Sequence, residues 1–208
     1  MRIRRTAKAN LRRTMRVLSK LAQYATGTVL LAVASLLFIP ALIGAVGLTT
    51  WGAVAVGQAI AGIGAIVVGY GWGVSGPAAV ARASAGEARR EYIDSLRTRS
   101  VLLILVALAA TALTFLIPGL DAPVASVATL PTLAAALTAN FFYVGRSQPG
   151  QLLLFETLPR VAGTLLATAA LRFWGVDVIA ALLLQLAGVV TRLVEEGAWI
   201  DALVPVDG

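Results

Sequence analysis

The sequence predicts an all-α membrane protein, a bundle of about six transmembrane helices with its amino and carboxyl termini in the cytoplasm. The chain has 208 residues, of which 59% are hydrophobic and only 13% are charged. A typical soluble domain is about 45–50% apolar and about 25% charged. The mean hydropathy is +0.87, and the apolar residues fall in long continuous runs. Positive charge is concentrated in two short segments, as in chains that insert into a membrane.

The composition also excludes several kinds of catalytic and metal site. The chain contains no cysteine and no histidine, so thiol chemistry and a histidine general base are excluded and no zinc site is expected. The net charge of +7 would suit nucleic-acid binding, but that function would leave the apolar runs unexplained. No catalytic constellation or Walker-type phosphate loop is visible. We therefore expect a protein that is not an enzyme, has no cofactor or metal, and binds no nucleic acid.

Six apolar segments are long enough, to within a few residues, to cross the membrane as helices. A helix needs about 20 apolar residues to span about 30 Å of hydrocarbon. Membrane β-strands are not favoured, because their residues would alternate between polar and apolar. Pro40 is expected to kink the first segment, and Pro131 lies within the fourth. In chain order the segments are 21–47, 51–72, 101–117, 124–144, 151–171 and 178–194.

The basic residues predict the orientation of this bundle. With a cytoplasmic amino terminus, the inner segments are 1–20, 73–100, 145–150 and the tail. Those segments carry 15 of the 17 basic residues if Arg192 is counted at the membrane edge, whereas the outer loops carry only Arg172. Basic residues accumulate on the cytoplasmic side of membrane proteins. Residues 21–196 would then form the bundle and residues 197–208 a short cytoplasmic tail.

The basic segment 1–20 is interpreted as cytoplasmic and amphipathic. A cleaved signal peptide is less favoured, because the apolar run that follows is much longer than the 7–15 residues of a signal sequence. Leu11, Met15, Leu18 and Ala22 recur at helical spacing, so the segment could lie along the inner leaflet as a helix. A flexible tail that only sets the topology is an equal alternative.

The inner loop and the carboxyl end are expected to face water. Ser75-Gly76-Pro77 is expected to form a turn. Glu195 and Glu196 follow Arg192 at the predicted cytoplasmic edge. The rest of the loop is typical of a solvated helical surface, because its acids Glu87, Glu91 and Asp94 alternate with Arg89, Arg90, Arg97 and Arg99.

Small residues recur every fourth position along the second segment. Such a stripe lets two helices approach closely within a membrane. Packing within the bundle is the favoured interpretation, and a contact between two copies of the chain is the alternative. The stripe consists of Ala53, Gly57, Ala61, Ala65 and Gly69.

The fifth segment carries two ionisable residues at depth. Glu156 and Arg160 are four residues apart, with Pro159 between them. Counted from Gln151 at about 1.5 Å per residue, Arg160 lies roughly 13 Å into the membrane. A charge at this depth usually faces a cavity, a partner or a substrate path. An ion pair closed within the helix is one interpretation. The other is that Arg160 binds an anionic group in a polar cavity, with Glu156 orienting it.

Three amides lie in the predicted spans and could line the same cavity. They are Asn140, Gln58 and Gln185. For each amide taken individually, a hydrogen bond between two helices is the favoured interpretation. We expect Arg160, Glu156 and Asn140 to form the substrate site.

The order of several short motifs is similar to that of a known family. They are Gly27, Ile39-Pro40, Gly47-Leu48-Thr49-Thr50-Trp51-Gly52, Gly71-Trp72-Gly73-Val74-Ser75-Gly76-Pro77-Ala78-Ala79-Val80-Ala81-Arg82, Asn140-Phe141-Phe142-Tyr143-Val144-Gly145-Arg146, and the pair Glu156 and Arg160. Over residues 20 to 200 their order resembles the lipid-linked oligosaccharide flippases, which export O-antigen and capsule saccharides. These flippases belong to the multidrug/oligosaccharidyl-lipid/polysaccharide superfamily.

The resemblance implies a transporter that moves an undecaprenyl-diphosphate-linked sugar across the bilayer by rocking one helix bundle against another. It assigns Arg160 as a contact for the diphosphate. Family members have twelve to fourteen spans, so this chain would supply one bundle, and a homodimer or a second half-size subunit would supply the other. The alternatives are cation-coupled efflux of small molecules, which needs Glu156, and a non-transporting scaffold or gene fragment.

Overall fold

The computed structural model describes the backbone of residues 2–203 and the side chains of residues 14, 15 and 18–195. Helices make up this part of the chain, and no strand occurs in it. In order they are α1 (Arg2–Gly69), α2 (Trp72–Arg82), α3 (Ala85–Leu116), α4 (Ala122–Ala135), α5 (Asn140–Gly145), α6 (Pro149–Gln151), a π-helical turn (Leu152–Thr157), α7 (Leu158–Phe173) and α8 (Val178–Leu203).

Five helical stretches of the described chain are long and apolar enough to cross a membrane, which confirms the prediction of an all-α chain with transmembrane helices. The number differs from six because the first two predicted segments fall in one stretch. The stretches are Leu18–Arg82, Ala85–Leu116, Ala122–Gly145, Pro149–Phe173 and Val178–Glu195.

The first stretch folds back on itself at Gly47. As a straight helix, its 65 residues would extend about 98 Å, roughly three times the hydrocarbon thickness. Gly47 has φ 80° and ψ 173°, a conformation that glycine adopts without a steric penalty. Phe38 before this break and Val54 after it belong to the same buried cluster. Pro40 lies within α1, seven residues before the non-helical Gly47, and the expected kink at Pro40 stays a prediction.

The stripe of small residues packs the second arm of α1 against α4. Ala61 is fully buried. A Cβ atom on Gly57 would overlap the carbonyl oxygen of Ala125 and lie 2.9 Å from its carbonyl carbon. Two helix backbones therefore meet here, which confirms packing within the bundle. The alternative of a contact between copies is wrong for Gly57, which the Ala125 backbone covers. Nothing lies within 4 Å of a Cβ atom at Gly69, so at that end of the stripe the alternative stays a prediction.

Helix α3 begins at Ala85, sixteen residues before the predicted span. Its first turn has a capping box, in which the Glu87 carboxylate accepts from the Ser84 N–H at 2.8 Å and Ser84 Oγ accepts from the Glu87 N–H at 3.4 Å. Glu87 and Asp94 are exposed, as expected of a solvated surface. Arg99 is only 4% exposed, so the prediction of a solvated side chain was wrong there.

The turn predicted at Ser75-Gly76-Pro77 was wrong, because these residues lie inside α2. The chain instead turns one residue after α1 ends, where Tyr70 and Gly71 have φ of 43° and 76°. Gly76 is needed for packing, since a Cβ atom there would lie 2.6 Å from the Phe141 ring.

The fourth predicted segment is interrupted. Helix α4 ends at Ala135 and α5 begins at Asn140, whereas Pro131 lies within the regular helix. The N–H groups of residues 136–138 donate to the carbonyls of Leu133, Ala134 and Ala135. The carbonyls that follow the end of α4 have no next helical turn to pair with, so side chains can satisfy them.

The basic amino-terminal segment is helical from Arg2. Leu11 lies outside the described side chains, and Met15 and Leu18 are exposed. A position along the inner leaflet stays a prediction. The expectation that Glu196 faces water, and most of the predicted tail, fall outside the described side chains.

Candidate functional site

The helices enclose a cavity of about 680 Å³. Both arms of α1 contribute to it, together with residues of α2, α3, α4, α5, α7 and α8. The structure brings Arg160 and all three predicted amides to this one cavity, although they are up to 127 positions apart in the sequence. Its polar lining residues are Ser35, Gln58, Arg99, Thr132, Thr138, Asn140, Arg160, Thr164 and Gln185.

Arg160 reaches the cavity from the first turn of α7. Its side chain is 31% exposed, and its Nη1 lies 3.9 Å from Oε1 of Glu156. Glu156 is itself 7% exposed and does not line the cavity. The predicted pair is therefore present, with Arg160 facing the cavity and Glu156 behind it.

A π-helical turn places Glu156. The turn Leu152–Thr157 comes immediately before α7, where Pro159 cannot donate the N–H that a continuous α-helix would use. The π-helical turn packs against α1 at Gly27, where an added Cβ atom would lie 3.1 Å from Thr157 Oγ1. Such turns inside a longer helix are frequent at functional sites.

Arg192 of α8 is the second cation beside Glu156. It is fully buried, its Nη1 lies 4.0 Å from Glu156 Oε1, and its Nη2 donates to the Ala134 carbonyl at 3.3 Å. Arg192 is thus buried within the bundle, and its expected position at the membrane edge stays a prediction. It reaches Glu156 because α7 and α8 approach closely, where a Cβ atom on Gly163 would lie 3.0 Å from the Gly188 Cα.

Arg99 of α3 occupies the break between α4 and α5. Its Nη1 donates to the Thr138 carbonyl at 3.0 Å and to Ser95 Oγ at 3.2 Å, and its Nη2 donates to the Ala136 carbonyl. Its guanidinium carbon is 5.9 Å from the centre of the Phe141 ring, within cation–π range. Arg99 and Arg192 together satisfy carbonyls at the end of α4, where cations are favourable.

The distribution of charge along the sequence did not predict that these two arginines are buried within the bundle. Arg192 lies fourteen residues into α8, roughly 21 Å along the helix, and it is the only charge in that part of the apolar run. This depth was the available signal. Arg99 shares a helical face with Ala88, Tyr92 and Ser95, which are all buried, so the periodicity of α3 indicated that it points inward.

The cavity suits an anion that carries polar groups. The lining residues include two guanidinium groups and no carboxylate. Arg99 is engaged by backbone carbonyls, whereas Arg160 has one long ion pair. Guanidinium groups bind phosphate and carboxylate strongly where water is excluded, and amides and hydroxyls can bind sugar hydroxyls. No cluster of three metal-ligating side chains occurs within the described residues.

The comparisons with known proteins identify no family. No family model, curated protein or solved structure matches this chain.

Proposed function

We propose that the chain is a half-size flippase subunit, which moves a lipid-linked oligosaccharide across the bacterial plasma membrane during polysaccharide biosynthesis. The observation that carries this proposal is the placement of Arg160 in a cavity with Gln58, Asn140 and Gln185. Arg160 binds the diphosphate that joins the sugar to its lipid, and the amides bind the sugar. Glu156 contacts Arg160 but does not line the cavity.

The cavity has the mixed lining that such a substrate needs. Its lining includes polar groups and also apolar side chains such as Phe38, Ile39 and Val189. A lipid-linked sugar joins an apolar tail to an anionic and hydroxyl-rich head group. Binding of both parts inside one bundle would lower the cost of moving the head group through hydrocarbon.

In this proposal the bundle crosses the membrane six times, with both termini in the cytoplasm. The reversal at Gly47 divides Leu18–Arg82 into two arms, each long enough to cross once. The basic residues of segments 1–20 and 73–100 then lie on the cytoplasmic side. This topology predicts that a cysteine introduced at Gly47 is labelled from the periplasm and one introduced at Gly86 from the cytoplasm.

A second bundle completes the transporter, either from another copy of this chain or from a different half-size subunit. Alternating access needs two bodies that move relative to each other. The oligomeric state in nanodiscs, measured by mass photometry, is expected to be a dimer or a two-protein complex. A strict monomer that retains transport would contradict this part of the proposal.

Flipping can be measured on the purified full chain in proteoliposomes that contain a fluorescent undecaprenyl-diphosphate-linked sugar. We expect wild-type protein to make the inner-leaflet probe accessible to an external quencher, and Arg160→Gln to reduce the initial rate at least tenfold. Arg172→Gln is the matched control, because Arg172 is exposed at the end of α7. Equal rates for wild-type protein and empty liposomes would refute the proposal.

The two alternatives receive less support from the geometry. Cation-coupled efflux needs an acid in the cavity, but Glu156 contacts Arg160 and Arg192 and does not line it. A scaffold that binds its partner through the small-residue stripe needs Gly57 to be accessible, but Ala125 covers it.

A further inference from the structure

We propose that Glu156 competes with the substrate anion for Arg160, and that Arg192 is a positioning residue that limits this competition by drawing Glu156 away. This inference rests on the proposed anion-binding role of the cavity. It assigns to the buried Glu156 and Arg192 a control of affinity, in addition to their places in the packing.

The geometry shows one carboxylate shared by two cations. Oε1 of Glu156 lies 3.9 Å from Arg160 Nη1 and 4.0 Å from Arg192 Nη1, so neither ion pair is a close hydrogen bond. Oε2 of Glu156 and Nη1 of Arg192 have no hydrogen-bond partner among the described residues. The carboxylate is thus held between two guanidinium groups without being fixed to either.

The two cations differ in what else they can bind. Arg192 is fully buried and donates to the Ala134 carbonyl, so it cannot reach the cavity. Arg160 is partly exposed to the cavity. One carboxylate cannot neutralise both guanidinium groups, so this trio keeps an excess positive charge in a region of low dielectric, where charge interactions are strong. The excess charge is available to a ligand only at Arg160.

Removal of Arg192 should therefore weaken anion binding from a distance. Without the pull of Arg192, the Glu156 carboxylate can close on Arg160 and form a direct bidentate pair. An entering anion would then have to displace an internal carboxylate. Removal of Glu156 should have the opposite effect, because Arg160 would lose its internal competitor.

The test is binding of inorganic pyrophosphate to the full chain in nanodiscs, by isothermal titration calorimetry. The variants are Arg192→Gln, Glu156→Gln and the double variant, and glutamine at 192 keeps a donor for the Ala134 carbonyl. We expect Kd to rise about tenfold in Arg192→Gln, to fall in Glu156→Gln, and to return to the wild-type value or below in the double variant. A tenfold change is within the usual range of coupling between sites.

The affinity of the double variant for pyrophosphate separates this proposal from a purely structural role of Arg192. If Arg192 only supports the fold, the double variant will bind as weakly as Arg192→Gln or more weakly, and the proposal is overturned. Weaker binding in Glu156→Gln than in wild type would also overturn it, because Glu156 would then assist the anion. Arg192→Lys, which keeps the charge, should bind within about threefold of wild type.

Failure of this inference can be told apart from failure of the proposed function. Wild-type protein that binds no pyrophosphate would overturn the inference directly. Pyrophosphate binding with the expected pattern but without flipping of the lipid-linked sugar would support the inference and refute the flippase proposal.

Discussion

Two contacts of α4 show two ways of joining helices within a membrane. On the α1 side, Gly57 lies against the Ala125 backbone and Ala61 is fully buried, so the contact consists of closely packed hydrocarbon and backbone. At the other end of α4, Arg99 donates to the Thr138 carbonyl beyond the helix, and Arg192 donates to the Ala134 carbonyl, which also accepts from the Leu137 N–H. The first contact gains dispersion energy and the second prevents the loss of hydrogen bonds.

The difference between these contacts indicates which of the two regions can bind a ligand. A closely packed interface excludes ligands, and its small side chains offer no specific chemistry. A broken helix with buried cations is costly, and structures of this kind are tolerated in membranes where they line a cavity. The cavity is adjacent to the arginine-capped end of α4, since Arg99, Ala136 and Thr138 all line it.

The largest expected loss of stability follows substitution of Arg192, at the end of α4 that contacts the two buried arginines. Arg192→Met would leave Glu156 with only the partly exposed Arg160 as a cation partner and would remove one of the donors to the Ala134 carbonyl. Breaking a buried pair in this way costs about 3–5 kcal/mol. We expect that loss in the free energy of unfolding, measured by reversible denaturation in micelles.

Arg172→Met, at an exposed position, is the control and should change stability by less than about 0.5 kcal/mol. The double variant Arg192→Met/Glu156→Gln should recover part of the loss, because it also removes the buried carboxylate that Arg192 faced. An unchanged stability in Arg192→Met would mean that the charged end is not held together as described.

A smaller effect is expected at the closely packed contact. Gly57→Ala would force α1 away from α4, since the added Cβ has no room beside Ala125. Overpacking of this kind costs about 1–3 kcal/mol. Thermal unfolding should show a lower Tm for this variant than for wild type.

Gly62→Ala is the matched comparison on the same arm, because nothing lies within 4 Å of a Cβ atom there. Alanine favours a helix over glycine by up to about 1 kcal/mol, so this variant should be as stable as wild type or more so. The same substitution is thus expected to have opposite signs five residues apart. Equal effects at both positions would contradict the close contact of α1 with α4.

The close contact of α1 with α4 could be predicted from the sequence, whereas most of the charged region at the end of α4 could not. The packed contact was predictable because Gly57 and Ala61 follow a period that a helix imposes on its faces. Arg160 was predictable from its depth. The roles of Arg99 and Arg192 depend on where α4 stops, and no local signal marks this break, because Pro131 lies inside the helix and Ala136 is a good helix former. Their partners are carbonyl groups 37 to 58 positions away, which residue identity does not reveal.

The smallest effect on stability is expected at Arg160, although it belongs to the same charged cluster as Arg192. Its side chain is 31% exposed and its ion pair with Glu156 spans 3.9 Å, so this partly exposed pair should contribute less than about 1 kcal/mol. Arg160→Gln should therefore unfold within that margin of wild type while losing at least tenfold in pyrophosphate affinity. Arg192→Met should show the reverse order, with stability affected most. If Arg160→Gln instead destabilises the chain as much as Arg192→Met, then Arg160 holds the bundle together as Arg192 does, and the division of the cluster into a binding cation and a supporting cation is wrong.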